Sequence, residues 1–333
     1  MTTDLSTKYL GLKLANPIVV SACPLTGELD VLRKLEDFGA AAAVLPSLFE
    51  EQFETKATDA ESTPHPTKFL DNLAYFQELK EYNRGPAAYL QHLTAAKKAV
   101  AIPIIGSLNV TGPGDVVRYA KQIQEAGADA LELNIYVVPT DPNVTSQQIE
   151  TRYVELVAAA RNQISIPLAI KIGPYFTSLP NMARRLVEAG ADGLIFFNRF
   201  LQPDIDIDHM RVDARLHLST PDELRLPLRW IALLHGRLPA SLAATSGIHF
   251  ADDIVRLLMA GSDAVMVASA LYQHGVEVLQ TFVDGLRYWL DSHDYHSVEQ
   301  IKGCLSQRRC PDPAVFERVN YTRAIASFLN EPV

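Results

Sequence analysis

The sequence is poor in the residues that staple, ligate or anchor. Only three cysteines, Cys23, Cys304 and Cys310, occur in 333 residues. They cannot build a disulfide framework, and no pair has the CxxC spacing of a zinc site, so structural zinc is excluded. The nine histidines show no HExxH or other ligand spacing, and no metal centre is expected. No apolar run approaches the roughly 18–20 residues of a membrane span. The opening stretch Met1 to Lys8 lacks the apolar core and small-residue cleavage pattern of a leader. A cytoplasmic protein without a membrane partner is expected. Basic charge is in deficit, 30 Lys and Arg against 39 Asp and Glu, for a net charge of −9. Nucleic acid is therefore not an expected partner, because phosphate neutralisation needs clustered cations. No Gly-x-Gly-x-x-Gly stretch follows a strand pattern, which removes an intrinsic dinucleotide-binding unit.

What the sequence does contain is a repeat. Phe38-Gly39-Ala40-Ala41, Ala126-Gly127-Ala128-Asp129, Ala189-Gly190-Ala191-Asp192 and Ala260-Gly261-Ser262-Asp263 share one pattern, each followed by an apolar run. The pattern suits a helix ending at a left-handed glycine, a tight turn with a small or acidic residue, and a buried parallel strand. The strands so placed are Ala42–Pro46, Ala130–Ile135, Gly193–Phe197 and Ala264–Ala268. Four more follow proline or a small residue: Pro17–Ser21, Pro103–Ser107, Pro167–Ile172 and Ser241–Ser246. Helical patterns fall between them at Glu28–Phe38, Pro86–Ala99, Pro113–Ala126, Ser146–Gln163, Leu179–Ala189, Pro221–Gly236, Phe250–Met259 and Ala270–Leu290.

Strand then helix, eight times over, predicts an α/β chain forming a (β/α)8 TIM barrel; an open doubly wound sheet is the alternative. One domain over residues 1–333 is expected, with 297–333 as a helical extension packed on the barrel through a helix at Pro313–Leu329. The long connections Ser47–Gly85 and Asn198–Thr220 both leave C-terminal strand ends, where a barrel carries its active site.

Residues at those ends are unusually polar: Ser21-Ala22-Cys23, Pro46-Ser47, Ser107 to Asn109, Asn134, Lys171, Asn198-Arg199, Ser246-Gly247 and Ala268-Ser269. Asn134 and Lys171 follow the apolar runs Leu131-Glu132-Leu133 and Leu168-Ala169-Ile170, so each points into the barrel or its mouth. A lone lysine there needs an anionic partner. Lys171 either pairs with Glu132 inside the barrel or faces a bound anion or electron-rich ring. Small residues ending the last two strands free backbone N–H groups for a phosphate. Tyr136 is a packing residue, a hydrogen-bond donor or an acid–base group. Arg199 clamps a substrate carboxylate or forms a surface ion pair. Cys23 is a thiolate near the site or an inert buried thiol.

These motifs resemble the class 1 dihydroorotate dehydrogenases and the dihydroorotate dehydrogenase-like proteins grouped with them. The likeness runs from about Thr7 to Leu290. It rests on Tyr9 to Pro17, Leu131-Glu132-Leu133-Asn134, Leu168 to Phe176, Phe197-Asn198 and Ala264–Leu271. It implies an FMN-dependent oxidoreductase acting on a CH–CH bond, dihydroorotate by default, in pyrimidine biosynthesis, with a possible homodimer. By the resemblance, Ser21, Ala22, Ser107, Asn134, Lys171, Asn198, Ser246, Gly247, Ala268 and Ser269 would contact the cofactor. Lys171, Asn134, Tyr136 and Asn198 would carry the chemistry, with Asn83 and Arg199 on a small-molecule substrate. Lys171 would lie beside the flavin pyrimidine edge, where a cation holds the charge of the reduced ring.

The sequence departs from the family at several points. Ser246 replaces the first residue of the usual Gly-Gly pair. The family's catalytic cysteine falls on Val137 of Ile135-Tyr136-Val137-Val138-Pro139. Pro46-Ser47 stands where a lysine is expected, and Leu218-Ser219-Thr220-Pro221 replaces a glycine-rich stretch. Valine takes no proton, and losing a general base typically costs ~10² to 10⁴ in rate. A flavin-binding relative without turnover is the first alternative. A flavin-free barrel binding another phosphate ester, with aldol or isomerase chemistry at Lys171, is the second.

Overall fold

Eight parallel strands close on themselves, as the sequence alternation predicts. The computed structural model describes residues 3–52, 85–109, 111–199, 201–213, 215–318 and 320–330; Asn83 and nearly all of the first long connection lie outside them. A short hairpin, β1 (Thr7–Tyr9) and β2 (Leu12–Leu14), precedes the barrel. The barrel strands are β3 (Ile18–Val20), β4 (Ala42–Val44), β6 (Ile104–Asn109), β7 (Ala130–Asn134), β8 (Leu168–Ile172), β9 (Gly193–Phe196), β12 (Ser241–Thr245) and β13 (Ala264–Val267). The ring closes through β13 on β3 and β4 on β6. Two residues, Leu48–Phe49 (β5), extend the pairing along the far end of β6.

The helices α1 (Leu29–Asp37), α2 (Pro86–Ala99), α3 (Pro113–Glu125), α4 (Ser146–Arg161), α5 (Leu179–Glu188), α6 (Arg225–Leu234) and α7 (Ala251–Ala260) fall where the patterns place them. The eighth does not run whole. Gly275, at φ 82°, divides it into α8 (Ser269–His274) and α9 (Val278–Ser292). The second long connection carries an unforeseen hairpin, β10 (Asp204–Asp206) and β11 (Arg211–Asp213).

The repeated glycines adopt the left-handed conformation, with φ 97°, 99°, 112° and 116° at Gly39, Gly127, Gly190 and Gly261, which a side chain would strain. The aspartates that follow tie the lower end of the barrel. Asp129 accepts from the Ile104 N–H at 2.7 Å, Asp192 from Leu168 at 2.8 Å and Asp263 from Leu242 at 2.9 Å. Each also holds a cation: Lys97, Arg161 and Lys302 respectively.

Strand alternation sorts the core into two layers. Val19, Ala42, Val44, Ile105, Ala130, Ala169, Ile195, Ala243, Ala264 and Met266 fill the barrel, and Tyr9, Leu10 and Leu14 of the leading hairpin join them as a plug. Leu131, Leu133, Ile170, Ile172 and their equivalents pack outward against the helices. By the same alternation Ser21, Ser107, Glu132, Asn134, Lys171 and Thr245 face inward.

The tail docks through Val298 and Ile301 of α10 (Val298–Ile301), both fully buried, and through Gly303 and Leu305 donating to Leu258 and Met259 carbonyls. The expected helix at Pro313–Leu329 is instead a single turn at Pro313–Phe316 and then α11 (Asn320–Asn330). Residues 321–328 of α11 are exposed, so the extension is held by its first part rather than by its last helix.

Candidate functional site

Above the C-terminal strand ends lies a cavity of about 650 Å³, within the size range of small-molecule sites. Ser21, Ala22, Lys171, Arg199, Ser246, Ala268 and Ser269 line it, from strands β3, β8, β9, β12 and β13. Its apolar surface comes from Pro24, Phe49, Leu216, Leu218, Ile248, Met266 and Val267. A second cleft of about 470 Å³ adjoins it, sharing Arg199, Thr245 and Ser246 and adding Asn198 and Tyr175.

Lys171 makes the pairing with Glu132 and also stands on the cavity wall. Its ammonium donates to Ser21 Oγ at 3.1 Å and lies 3.5 Å from Glu132 Oε1, while the residue also lines the cavity. Its side chain is 8% exposed and that of Glu132 is wholly buried. Two strands therefore present a fixed cation to whatever the cavity holds. Asn134 pairs in register with Lys171 across β7 and β8. Asn134 lines neither cavity; among the described residues its Oδ1 is buried without a partner, as is Asn198 Oδ1, although Asn198 Nδ2 donates to the Ile135 carbonyl at 2.9 Å. Buried amide oxygens left over in this way are rare and mark places where a ligand completes the hydrogen bonding.

Other expected residues stand elsewhere. Ser107 is fully buried, its hydroxyl 2.8 Å from that of Ser47, and it lines neither cavity. Tyr136 also lines neither, and its hydroxyl accepts from the Leu201 N–H at 3.2 Å. Val137 packs against the hydrophobic core. Arg199 donates twice to the His217 carbonyl and pairs with Glu223, so its guanidinium braces the loop over the cavity while lining it. Gly247 does not line the cavity; at φ 77° a Cβ there would meet the Leu224 backbone nitrogen at 2.2 Å, so glycine is required for the strand end to pass this turn. Cys23 lines the cavity, but burial pushes its thiol up, against weaker pulls from the Leu25 and Thr26 backbone, Tyr272 and Lys171. It is a thiol rather than a thiolate at neutral pH.

The structure adds residues the motifs did not mark. Thr245 and Met266 were accessible to the alternation of their strands. His217 and Ser219 come from an irregular loop and carried no periodic signal. His249, buried and 3.2 Å from Ser219 Oγ, gave no spacing signal at all.

The residues fit a flavin mononucleotide on several independent grounds. The cavity is large and largely apolar, a buried cation stands on its wall, hydroxyls of Ser219, Ser246 and Ser269 line it, and no carboxylate does among the described residues. A family model described as Dihydroorotate dehydrogenase matches residues 4–290. The Dihydroorotate dehydrogenase B (NAD(+)), catalytic subunit, of Thermoplasma acidophilum is 25% identical over 312 residues, covering 90% of this chain and 98% of that protein. Proteins of the same description from Methanosarcina acetivorans and Pyrococcus furiosus are 25% and 24% identical, over 88% and 89% of this chain and 93% and 97% of theirs. No helix among the described residues is long and apolar enough to cross a membrane.

Proposed function

The chain belongs to the dihydroorotate dehydrogenase family and is an oxidoreductase of the kind that acts on CH–CH groups; from that premise we propose that it works with FMN and has lost the base that dihydroorotate oxidation needs. The observation that carries the flavin reading is Lys171, buried, held by Ser21 and Glu132, and presented to an apolar cavity. When bound, the flavin supplies the hydride acceptor. Lys171 would hold the negative charge of the reduced ring, and the Asn134 and Asn198 side chains, each with a spare buried oxygen, would accept from N–H groups of ring or substrate. The strand ends at Ser246 and Ala268 would receive the phosphate. Pro24, Phe49, Leu218 and Met266 keep water from the reacting face.

Oxidation of dihydroorotate removes a hydride from one carbon and a proton from its neighbour, and the proton needs an acceptor. Three positions near the family's base offer none that is ready. Val137 is aliphatic and packed against the core, the Tyr136 hydroxyl is engaged by the Leu201 N–H, and burial keeps Cys23 protonated. This arrangement points to a physiological substrate other than dihydroorotate, one that brings its own acid–base group, needs none, or uses a group such as His217 on the cavity wall. A homodimer belongs to the same reading, carried over from the family resemblance, and a cytoplasmic setting is carried over from the sequence.

Denaturation of the purified protein should release one FMN per chain by mass spectrometry; FAD, or no flavin after reconstitution with excess FMN, defeats the assignment. Anaerobic stopped-flow mixing with dihydroorotate should show reduction far below the ordinary enzymic range of roughly 1 to 10³ per second. Val137→Cys should raise that rate, up to the ~10² to 10⁴ expected of a positioned base. Wild-type reduction within the ordinary range would show that a base is present after all.

A further inference from the structure

We propose that Ser219 and His249 form a built recognition element for a phosphomonoester inside the cavity, in which the imidazole fixes the serine hydroxyl as a donor to the ligand. The two residues are thirty positions apart in the chain and meet at 3.2 Å between Oγ and Nε2. Both are nearly inaccessible, at 3% and 4% exposure. Ser219 lines the cavity; His249 does not, and stands behind it.

The position of His249 is set by contacts that have nothing to do with Ser219. Asp253, 1% exposed, accepts from the backbone N–H groups of His249 and Phe250 at 3.0 Å each, and its other oxygen takes Arg256 at 2.7 Å. The ring is thus delivered to Ser219 by the first turn of α7 rather than by adjustment of the serine loop.

The proposed pair carries the ring proton on Nε2, and the hydroxyl's inventory of one proton and two lone pairs then sets the rest. With Nε2–H donating, Ser219 Oγ has an acceptor site filled and its own proton is left to point into the cavity. The reverse polarity would spend that proton on the ring and turn lone pairs toward the ligand. Ser269 repeats the arrangement. Its Oγ accepts from the Ser219 backbone N–H at 3.0 Å, which again leaves a hydroxyl proton for the cavity that Ser269 lines. Two hydroxyl donors, fixed from behind, therefore face a space that Arg199 also lines and no described carboxylate does. A phosphomonoester, with three acceptor oxygens and nearly two negative charges, is the chemical group that this set satisfies.

The identification of the phosphate with that of FMN rests on the flavin assignment above; the subsite itself does not. Calorimetric titration of the flavin-stripped protein with FMN, riboflavin and inorganic phosphate separates the two. FMN should bind at least tenfold more tightly than riboflavin, and phosphate should compete with FMN but not with riboflavin. Ser219→Ala and His249→Leu should each weaken FMN by about 10- to 100-fold, the range for a hydrogen bond to a charged group, and leave riboflavin within about twofold. His249→Gln, which retains an N–H donor, should recover most of the FMN affinity lost in His249→Leu. Equal affinity for FMN and riboflavin, or equal weakening of both by Ser219→Ala, overturns the proposal. Ser219→Ala provides this test even if His249→Leu fails to fold. Failure of His249→Gln to recover affinity overturns the positioning role of the ring. If neither flavin binds the wild-type protein the flavin assignment falls, and inorganic phosphate then decides the subsite: binding lost in Ser219→Ala upholds it, and no binding refutes it.

Discussion

At the lower end of the barrel Asp129, Asp192 and Asp263 each accept from a strand N–H and each hold a cation, whereas at the upper end Asn134 and Asn198 keep buried oxygens that nothing among the described residues satisfies. The lower end has its own cleft, of about 550 Å³, in which Arg161, Asp192, Asp263 and Lys302 line the wall already paired with one another. Size alone does not separate the two openings. Charge pairing does: the three aspartates of the lower end are matched by cations and serve the fold, whereas the amide oxygens left over at the upper end are places that a ligand can complete.

Replacing Lys171 should break the upper end most severely. Loss of a preorganised charge at the point where charge develops typically costs ~10² to 10³ in rate. Lys171→Ala should therefore slow flavin reduction by about that factor while weakening FMN binding much less, because the interaction grows as the ring becomes negative. Stopped-flow reduction at saturating FMN distinguishes the roles. A variant that loses FMN but is reduced normally once saturated would make Lys171 a structural residue, and the Glu132 pair would then be its whole purpose.

Asp263→Ala tests the lower end. It leaves the Leu242 N–H unsatisfied at a buried strand start, a loss of roughly 1–3 kcal/mol, and strips Lys302 of one partner. Thermal unfolding should move down by several degrees, with FMN affinity unchanged. A fall in FMN affinity without a fall in Tm would contradict the division of labour between the two ends.

How much of this division was legible in the sequence depended on what carried it. The lower end announced itself, because a glycine that must be left-handed and an aspartate that caps the neighbouring strand recur at fixed spacing through three of the four repeats. Inward-facing Lys171 and Asn134 were legible for a related reason: alternation along a strand fixes which side chains share a face. The leading hairpin was not, since its strands are three residues long and its turn pairs Leu10 with Gly11 at positive φ, where Asn or Asp before the glycine is the usual signal. The loop around Ser219 has no period, and its meeting with His249 exists only after the barrel has closed.

His235 offers a finer probe of the lower end. Its ring packs so closely on Gly261 and Gly303 that a Cβ at either would meet it within 2.3 Å, and its Nδ1 lies 3.0 Å from the Gly261 carbonyl. Burial, outweighing that hydrogen bond, lowers its pKa below 6.5. Between the folded value and 6.5 the unfolded chain holds a proton that the folded chain lacks, so stability falls as pH drops through 6.5 and levels off once the folded group is charged too. Denaturant titrations from pH 7.5 to 5 should show that decline, and His235→Asn should flatten part of it. An identical slope in the variant would assign the decline to other groups.

The smallest effect is expected at Ser246, and there the two ends can be compared at a single residue. A side chain in the left-handed region costs roughly 1–2 kcal/mol, which Ser246→Gly would recover. Glycine, however, gives the unfolded chain extra freedom worth about 0.4–1 kcal/mol. The two terms nearly cancel, and Tm should shift by no more than about 3 °C, upward if at all. The consequence for the ligand differs with the group that serves it. The backbone N–H survives the substitution, and a phosphate held by it should bind FMN within about threefold of wild type. If the Ser246 hydroxyl were itself the donor, the loss would approach the ~10-fold or more of a hydrogen bond to a charged group. A Ser246→Gly protein that binds FMN normally, set beside a Ser219→Ala protein that does not, would locate phosphate recognition in the hydroxyl pair of Ser219 and Ser269 and leave Ser246 to shape the strand end.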